Sequence, residues 1–172
     1  MNFLGHLVLS GDDPLVITGN FMADAVKGRD LSRYEEGLQR GIRLHRAIDV
    51  YTDAHELTRL GRERLRAHAG KYAGVVLDLF YDHLLASHWP MESFGPLREY
   101  NRRMYDLLRV HHALMPDRTR HMLSFMVQGD WLTSYARIEG LANALTGLSR
   151  RACNGAAMHG AERVLVENYA AY

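Results

Sequence analysis

The chain has 172 residues, 47% of them hydrophobic, which is enough for one globular domain with a real core and too many for a disordered segment. A formal net charge of +1 excludes a strong polyelectrolyte, so no nucleic-acid or membrane partner is expected. The single cysteine, Cys153, leaves no intrachain disulfide and fits a reducing compartment.

The opening stretch, Met1 to Leu9, is apolar but short, lacks a basic leader and turns acidic at Asp12 and Asp13. It makes neither a signal peptide nor a membrane span, and the protein reads as cytoplasmic. Asp13 before Pro14 is an N-cap followed by proline at the first helical position, which predicts a helix from Leu15 to about Val26. Gly28 to Ser32 reads as a loop. Tyr34 to about Asp53 reads as a long helix with Leu38, Ile42, Ile48 and Tyr51 on one apolar face. Glu56 to Ala69 is a further helix with an arginine-rich solvated side. Ala73 to His88 is strongly apolar, and its length favours a buried helix over a strand. Glu92 to His111 carries Leu97, Tyr100, Met104, Leu107 and Leu108 at helical spacing. Helices at Arg118 to Gln128 and Trp131 to Leu148 follow Pro116. Asn154-Gly155 signals a turn, and a last amphipathic helix starts near Gly160. No repeat, strand alternation or low-complexity linker interrupts this pattern. It predicts an all-α, single-domain bundle over residues 1–172.

Four places carry side chains with chemistry. His45, Asp49 and Asp53 recur every fourth residue on one helix, so they form a stripe, with Arg46 at its border. An imidazole with carboxylates suits a divalent cation such as manganese, magnesium, iron or zinc, and it also suits a surface row of ion pairs. Asp78, Asp82 and His83 lie in an otherwise apolar helix, where a buried acid needs a partner or a cation. Asp82 faces a site on this reading, while His83 points about 100° away and either reaches that site or packs. Asp24 ends an apolar helix, with a site or Lys27 as its partner. His6 sits alone in an apolar segment, the usual setting of a core histidine. The remaining histidines share no periodicity with an acid and read as surface or packing residues. His55, close after Asp53, is the one nearest to a candidate. No phosphate-binding loop, dinucleotide fingerprint, nucleophile elbow or His-Glu-x-x-His motif is present.

Five segments occur in order: MNFLGHL, GNFMADAVKG, LHRAIDVYTDAH, DLFYDHLLASHW and QGDWLTSYARIEG. Together they resemble the acyl carrier protein phosphodiesterase family, from Met1 to about Arg151. That family is regarded as a divergent branch of the His-Asp (HD) phosphohydrolases, so the resemblance implies an HD-like helical domain with a divalent metal, typically manganese. It implies removal of 4′-phosphopantetheine from holo-acyl carrier protein. The matching positions imply His6, Asp24, His45, Asp82 and His83 as metal ligands. Asp49 or Asp24 would act as ligand or general base, and Arg46, with Lys27, would neutralise phosphate charge. An acidic carrier would dock on a basic face, either Arg59, Arg62 and Arg66 or Arg98, Arg102 and Arg109. The same metal residues would also serve an HD-type enzyme acting on a nucleotide or another small phosphoester. A non-catalytic helical binding protein is the third reading.

Overall fold

The computed structural model describes residues 3–172. Met1 and Asn2, which open the apolar N-terminal stretch and the MNFLGHL motif, lie outside the described residues. The elements are helices: α1 (Phe3–Val8), α2 (Pro14–Met22), α3 (Glu36–Ala54), α4 (Glu56–Ala69), α5 (Ala73–Ser87) and α6 (Met91–Phe94). After them come α7 (Leu97–Val110), α8 (Asp117–Gln128), α9 (Trp131–Ser134), α10 (Ile138–Arg151) and α11 (Glu162–Glu167). Short 3₁₀ turns join several of them, and no strand occurs among the described residues. The all-α expectation holds.

Local sequence accounts for most boundaries. Asp13 caps α2 by accepting from the amides of Leu15 (2.9 Å) and Val16 (3.3 Å), with Pro14 at the first position. The α3–α4 break falls at His55, whose extended backbone ends one helix and whose Nδ1 accepts the Leu57 amide.

Two helices expected to be continuous are broken. The stretch from Glu92 to His111 divides at Gly95, which takes a φ of +73°, and at Pro96, which has no amide to donate. The stretch from Trp131 to Leu148 divides at Tyr135 to Arg137. There the chain turns so that the Tyr135 ring is buried and Gly140 comes against the Ser134 carbonyl.

Helix α5 is the central element. Val76, Leu77 and Phe80 are buried on it, and α1, α4 and α10 all pack against it. Beside it, α2 and α3 form the most extensive helix pair. Two glycines permit that approach. A Cβ on Gly19 would lie 2.3 Å from the Leu38 carbonyl oxygen, and one on Gly41 would lie 2.2 Å from that of Val16. On α3 the inward face is Leu38, Ile42 and His45, so the predicted face is corrected at its far end: Ile48 is half-buried and Tyr51 is exposed.

Candidate metal centre

The close crossing of α2 and α3 brings the buried amide of Asn20 against the buried ring of His45. His45 Nδ1 donates to Asn20 Oδ1 at 3.0 Å. The amide nitrogen of Asn20 donates in turn to the His6 carbonyl (3.1 Å) and to Ser10 Oγ (2.8 Å), and Ser10 Oγ also donates to the His6 carbonyl (2.7 Å). One side chain thus fixes the orientation of His45 and ties down the turn of α1 that carries His6. The His6 and His45 rings stack with centroids 4.0 Å apart.

With Nδ1 of His45 used, its Nε2 faces two carboxylates, Asp49 Oδ2 at 3.3 Å and Asp24 Oδ1 at 3.4 Å. Nε2 of His6 faces Asp49 Oδ1 at 3.2 Å. Donor atoms of His6, His45 and Asp49 all lie within 4.8 Å of one another. The imidazoles form the inner wall, and Asp24 and Asp49, each with nearly half its side chain exposed, form the rim.

Charge is unevenly matched here. Burial works against a charged His45, but hydrogen bonds to Asp24 and Asp49 outweigh it and raise its pKa to about 9. Burial likewise pushes Asp49 up, and the hydrogen bonds with His45 and His6 overcome this, holding it well below the usual carboxylate range. Asp24 is lowered, chiefly by its hydrogen bond with His45. The pocket between the two rings and the two acids therefore favours a positive charge, which a proton or a metal ion can supply. His6 Nδ1 is also buried without a hydrogen-bond partner among the described residues. Two imidazole nitrogens with carboxylate oxygens fit a first-row divalent cation such as manganese, iron or zinc.

His6, Asp24, His45 and Asp49 come together from three segments: α1, the turn after α2, and α3. Asp24 pairs with His45 and not with Lys27. Asp53, the end of the expected stripe, instead forms an ion pair with Arg62. Asp82 and His83 do not join the group. Asp82 is fully buried and accepts the amides of Leu4 (3.1 Å) and Gly5 (2.9 Å), capping α1 from α5. His83 Nδ1 donates to the Tyr135 carbonyl at 2.7 Å and Nε2 meets the Tyr169 hydroxyl at 3.2 Å. Desolvation lowers its pKa, so it stays a neutral packing histidine. Arg46 Nη2 donates to the carbonyls of Val26 (3.2 Å) and Gly28 (2.8 Å), pinning the loop that follows Asp24.

Sequence reasoning missed Asn20 and Ser10. A buried Asn one residue after a glycine that allows helix contact was the available signal. Asn20→Ala is expected to lower the affinity of this candidate centre for a divalent cation by about 10–100-fold, measured by isothermal titration of the purified protein with Mn²⁺, because the ring of His45 loses the partner that fixes it.

No solved structure matches this chain. Among curated proteins, the acyl carrier protein phosphodiesterase of Photorhabdus laumondii is 30% identical over 174 residues, covering 99% of this chain and 86% of its own. That of Serratia proteamaculans is 30% identical over 170 residues, covering 98% and 88%. That of Yersinia pestis is 29% identical over 172 residues, again covering 98% and 88%. The family model described as acyl carrier protein phosphodiesterase matches residues 1–172. Full-length agreement of this kind establishes that the chain belongs to the acyl carrier protein phosphodiesterase family of enzymes.

Proposed function

We propose that this protein is a metal-dependent phosphodiesterase that removes 4′-phosphopantetheine from holo-acyl carrier protein. The observation that carries the reading is the convergence of His6, His45 and Asp49 within 4.8 Å, with Asp24 at the rim, in a protein of this family. Such a cluster would take a divalent cation, manganese first among the candidates. When bound, it polarises a phosphate oxygen and acidifies water.

The chain's own residues divide the remaining work. His6, His45 and Asp49 would hold the ion, since their donor atoms all lie close together. At the rim, Asp24 pairs with His45 and, on this reading, orients water and takes its proton. The water oxygen bonds to phosphorus, the bond from phosphorus to the carrier serine oxygen breaks, and that oxygen is protonated. Apo-carrier and 4′-phosphopantetheine result. Arg46 acts by holding the loop that presents Lys27, and the exposed Lys27 offers charge to the phosphate.

A carrier protein brings its phosphodiester on an extended surface, so half-exposed acids at the rim suit it. Of the arginines expected to dock it, Arg59 lies between Glu56 and Glu63, and Arg109 faces Asp106. A surface depression of about 430 Å³ is lined by Arg62, Arg66 and Lys71. Exchanging Arg66 and Lys71 together for glutamate is expected to raise KM for the carrier about 10-fold and flatten its dependence on salt, with kcat near wild type. Steady-state assays at two ionic strengths check this.

The decisive experiment incubates purified protein with holo-acyl carrier protein and Mn²⁺ and follows the mass of the carrier. Loss of the phosphopantetheine mass, abolished by a chelator, is the expected result. A carrier left unchanged by metal-loaded protein overturns the reading and points to a small phosphoester substrate.

A further inference from the structure

Beyond the ion-holding residues, α3 runs on into a cleft that no step above uses. Tyr51, Thr52 and His55 from the end of α3, Thr58 of α4, Tyr81 of α5 and Tyr172 line a space of about 220 Å³. Its wall begins beside the metal centre. Thr52 stands three residues after Asp49, about 4.5 Å further along the helix axis and about 60° round it.

The lining is polar and includes no carboxylate, lysine or arginine side chain. Thr58 Oγ1 and the Tyr81 hydroxyl bond to each other at 2.9 Å, and each hydroxyl retains capacity for a further partner. The Tyr172 hydroxyl is buried with no hydrogen-bond partner among the described residues. Among the lining residues, large apolar side chains stand in water: Tyr51 is 74% exposed and Leu57 65%. Apolar side chains clustered at the edge of a cleft mark a place where a ligand is covered.

Resting on the phosphodiesterase reading, we infer that this cleft receives the pantetheine arm of the carrier's prosthetic group while its phosphate lies at the metal centre. Three properties select that occupant. The cleft starts one turn from Asp49, so a chain leaving the phosphate reaches it at once. No lysine or arginine lines it, so its ligand is uncharged. Its volume lies below the roughly 300–1,000 Å³ of sites that engulf a compact ligand, which suits a slender chain and is too small for a whole nucleotide. The arm itself is apolar beside the phosphate and then carries a hydroxyl and two amides. Those are groups for the exposed apolar side chains and for the tyrosine and threonine hydroxyls.

The test uses pantetheine itself, which lacks the phosphate, titrated into the full-length metal-free protein and followed by tyrosine fluorescence. Tyr51→Ala removes an exposed wall of the cleft, and Thr52→Leu narrows it. Saturable binding that each variant weakens by at least about 5-fold is expected, with a matching rise in KM for holo-carrier and little change in kcat. Absence of saturable pantetheine binding, or equal affinity in wild type and both variants, overturns the inference. Pantetheine bound in a variant-sensitive way by protein that leaves holo-carrier intact keeps the cleft assignment and ends the phosphodiesterase reading. Cleavage with unchanged KM in both variants does the reverse.

Discussion

His45→Ala protein is expected to bind Mn²⁺ at least about 100-fold more weakly than wild type and to release phosphopantetheine at least about 1,000-fold more slowly. His45 is the one residue that touches every other part of the centre: Asn20 through Nδ1, Asp24 and Asp49 through Nε2, and His6 through ring stacking. Its loss removes a nitrogen donor and leaves two neighbouring carboxylates facing each other without the group between them. A drop of 1,000-fold corresponds to about 4 kcal/mol of transition-state stabilisation. Calorimetric titration with Mn²⁺ and the carrier mass assay read the two effects separately. A variant with wild-type metal affinity would remove His45 from the centre, even if its activity fell.

The largest stability effect is expected at Asp82. Both its oxygens accept amides at the start of α1, Leu4 on one and Gly5 on the other, and its side chain is entirely buried. Asp82→Ala leaves those two amides unpaired and opens a hole between α5 and α1. A cost of about 2–4 kcal/mol is expected, measured by urea unfolding. Because His6 stands one residue after Gly5, the same change loosens the metal centre.

Asp82 also sets a pH dependence. Burial raises its pKa to about 7 against the two hydrogen bonds that lower it. The folded state therefore holds a proton that the unfolded state has lost, and the stability this provides is complete below the ordinary carboxylate value of 3.8 and lost as pH rises through about 7. Asp24 and Asp49 act oppositely: their lowered values give stability that is present above 3.8 and lost as pH falls. His45 contributes below its ordinary 6.5 and loses that contribution as pH rises through about 9. Between about pH 4 and 6.5 only Asp82 is changing among these groups. Wild-type stability is expected to decline across that window by an amount on the order of 2–4 kcal/mol more than that of Asp82→Asn. Parallel slopes for the two proteins would show that Asp82 is ionised throughout.

Several features of the molecule were legible because they are local. The Asp13-Pro14 start of α2, the α4 helix and the buried α5 follow from capping, helical period and apolar run length, which a chain expresses before it packs. The His45–Asp49 pair was legible for the same reason, since four residues make one turn. Asp24 and His6 were visible as polar residues in apolar segments, but period alone could not bring them to His45. The breaks at Gly95-Pro96 and Tyr135 were harder to read. The second arises only because Gly140 lets the chain fold back on Ser134.

What the sequence by itself determined is the all-helical character, most helix boundaries and the stock of imidazoles and carboxylates from which a cation site can be made. Only the tertiary structure decided which of them meet. Asp82 and Asp24 are alike in sequence, acids on apolar helices, yet they do different work. The approach of α2 and α3 through Gly19 and Gly41 sets Asn20 on His45, and Asp24 follows to the rim. The packing of α1 on α5 puts two free amides against Asp82, and a buried carboxyl group satisfied by backbone donors has no need of a cation.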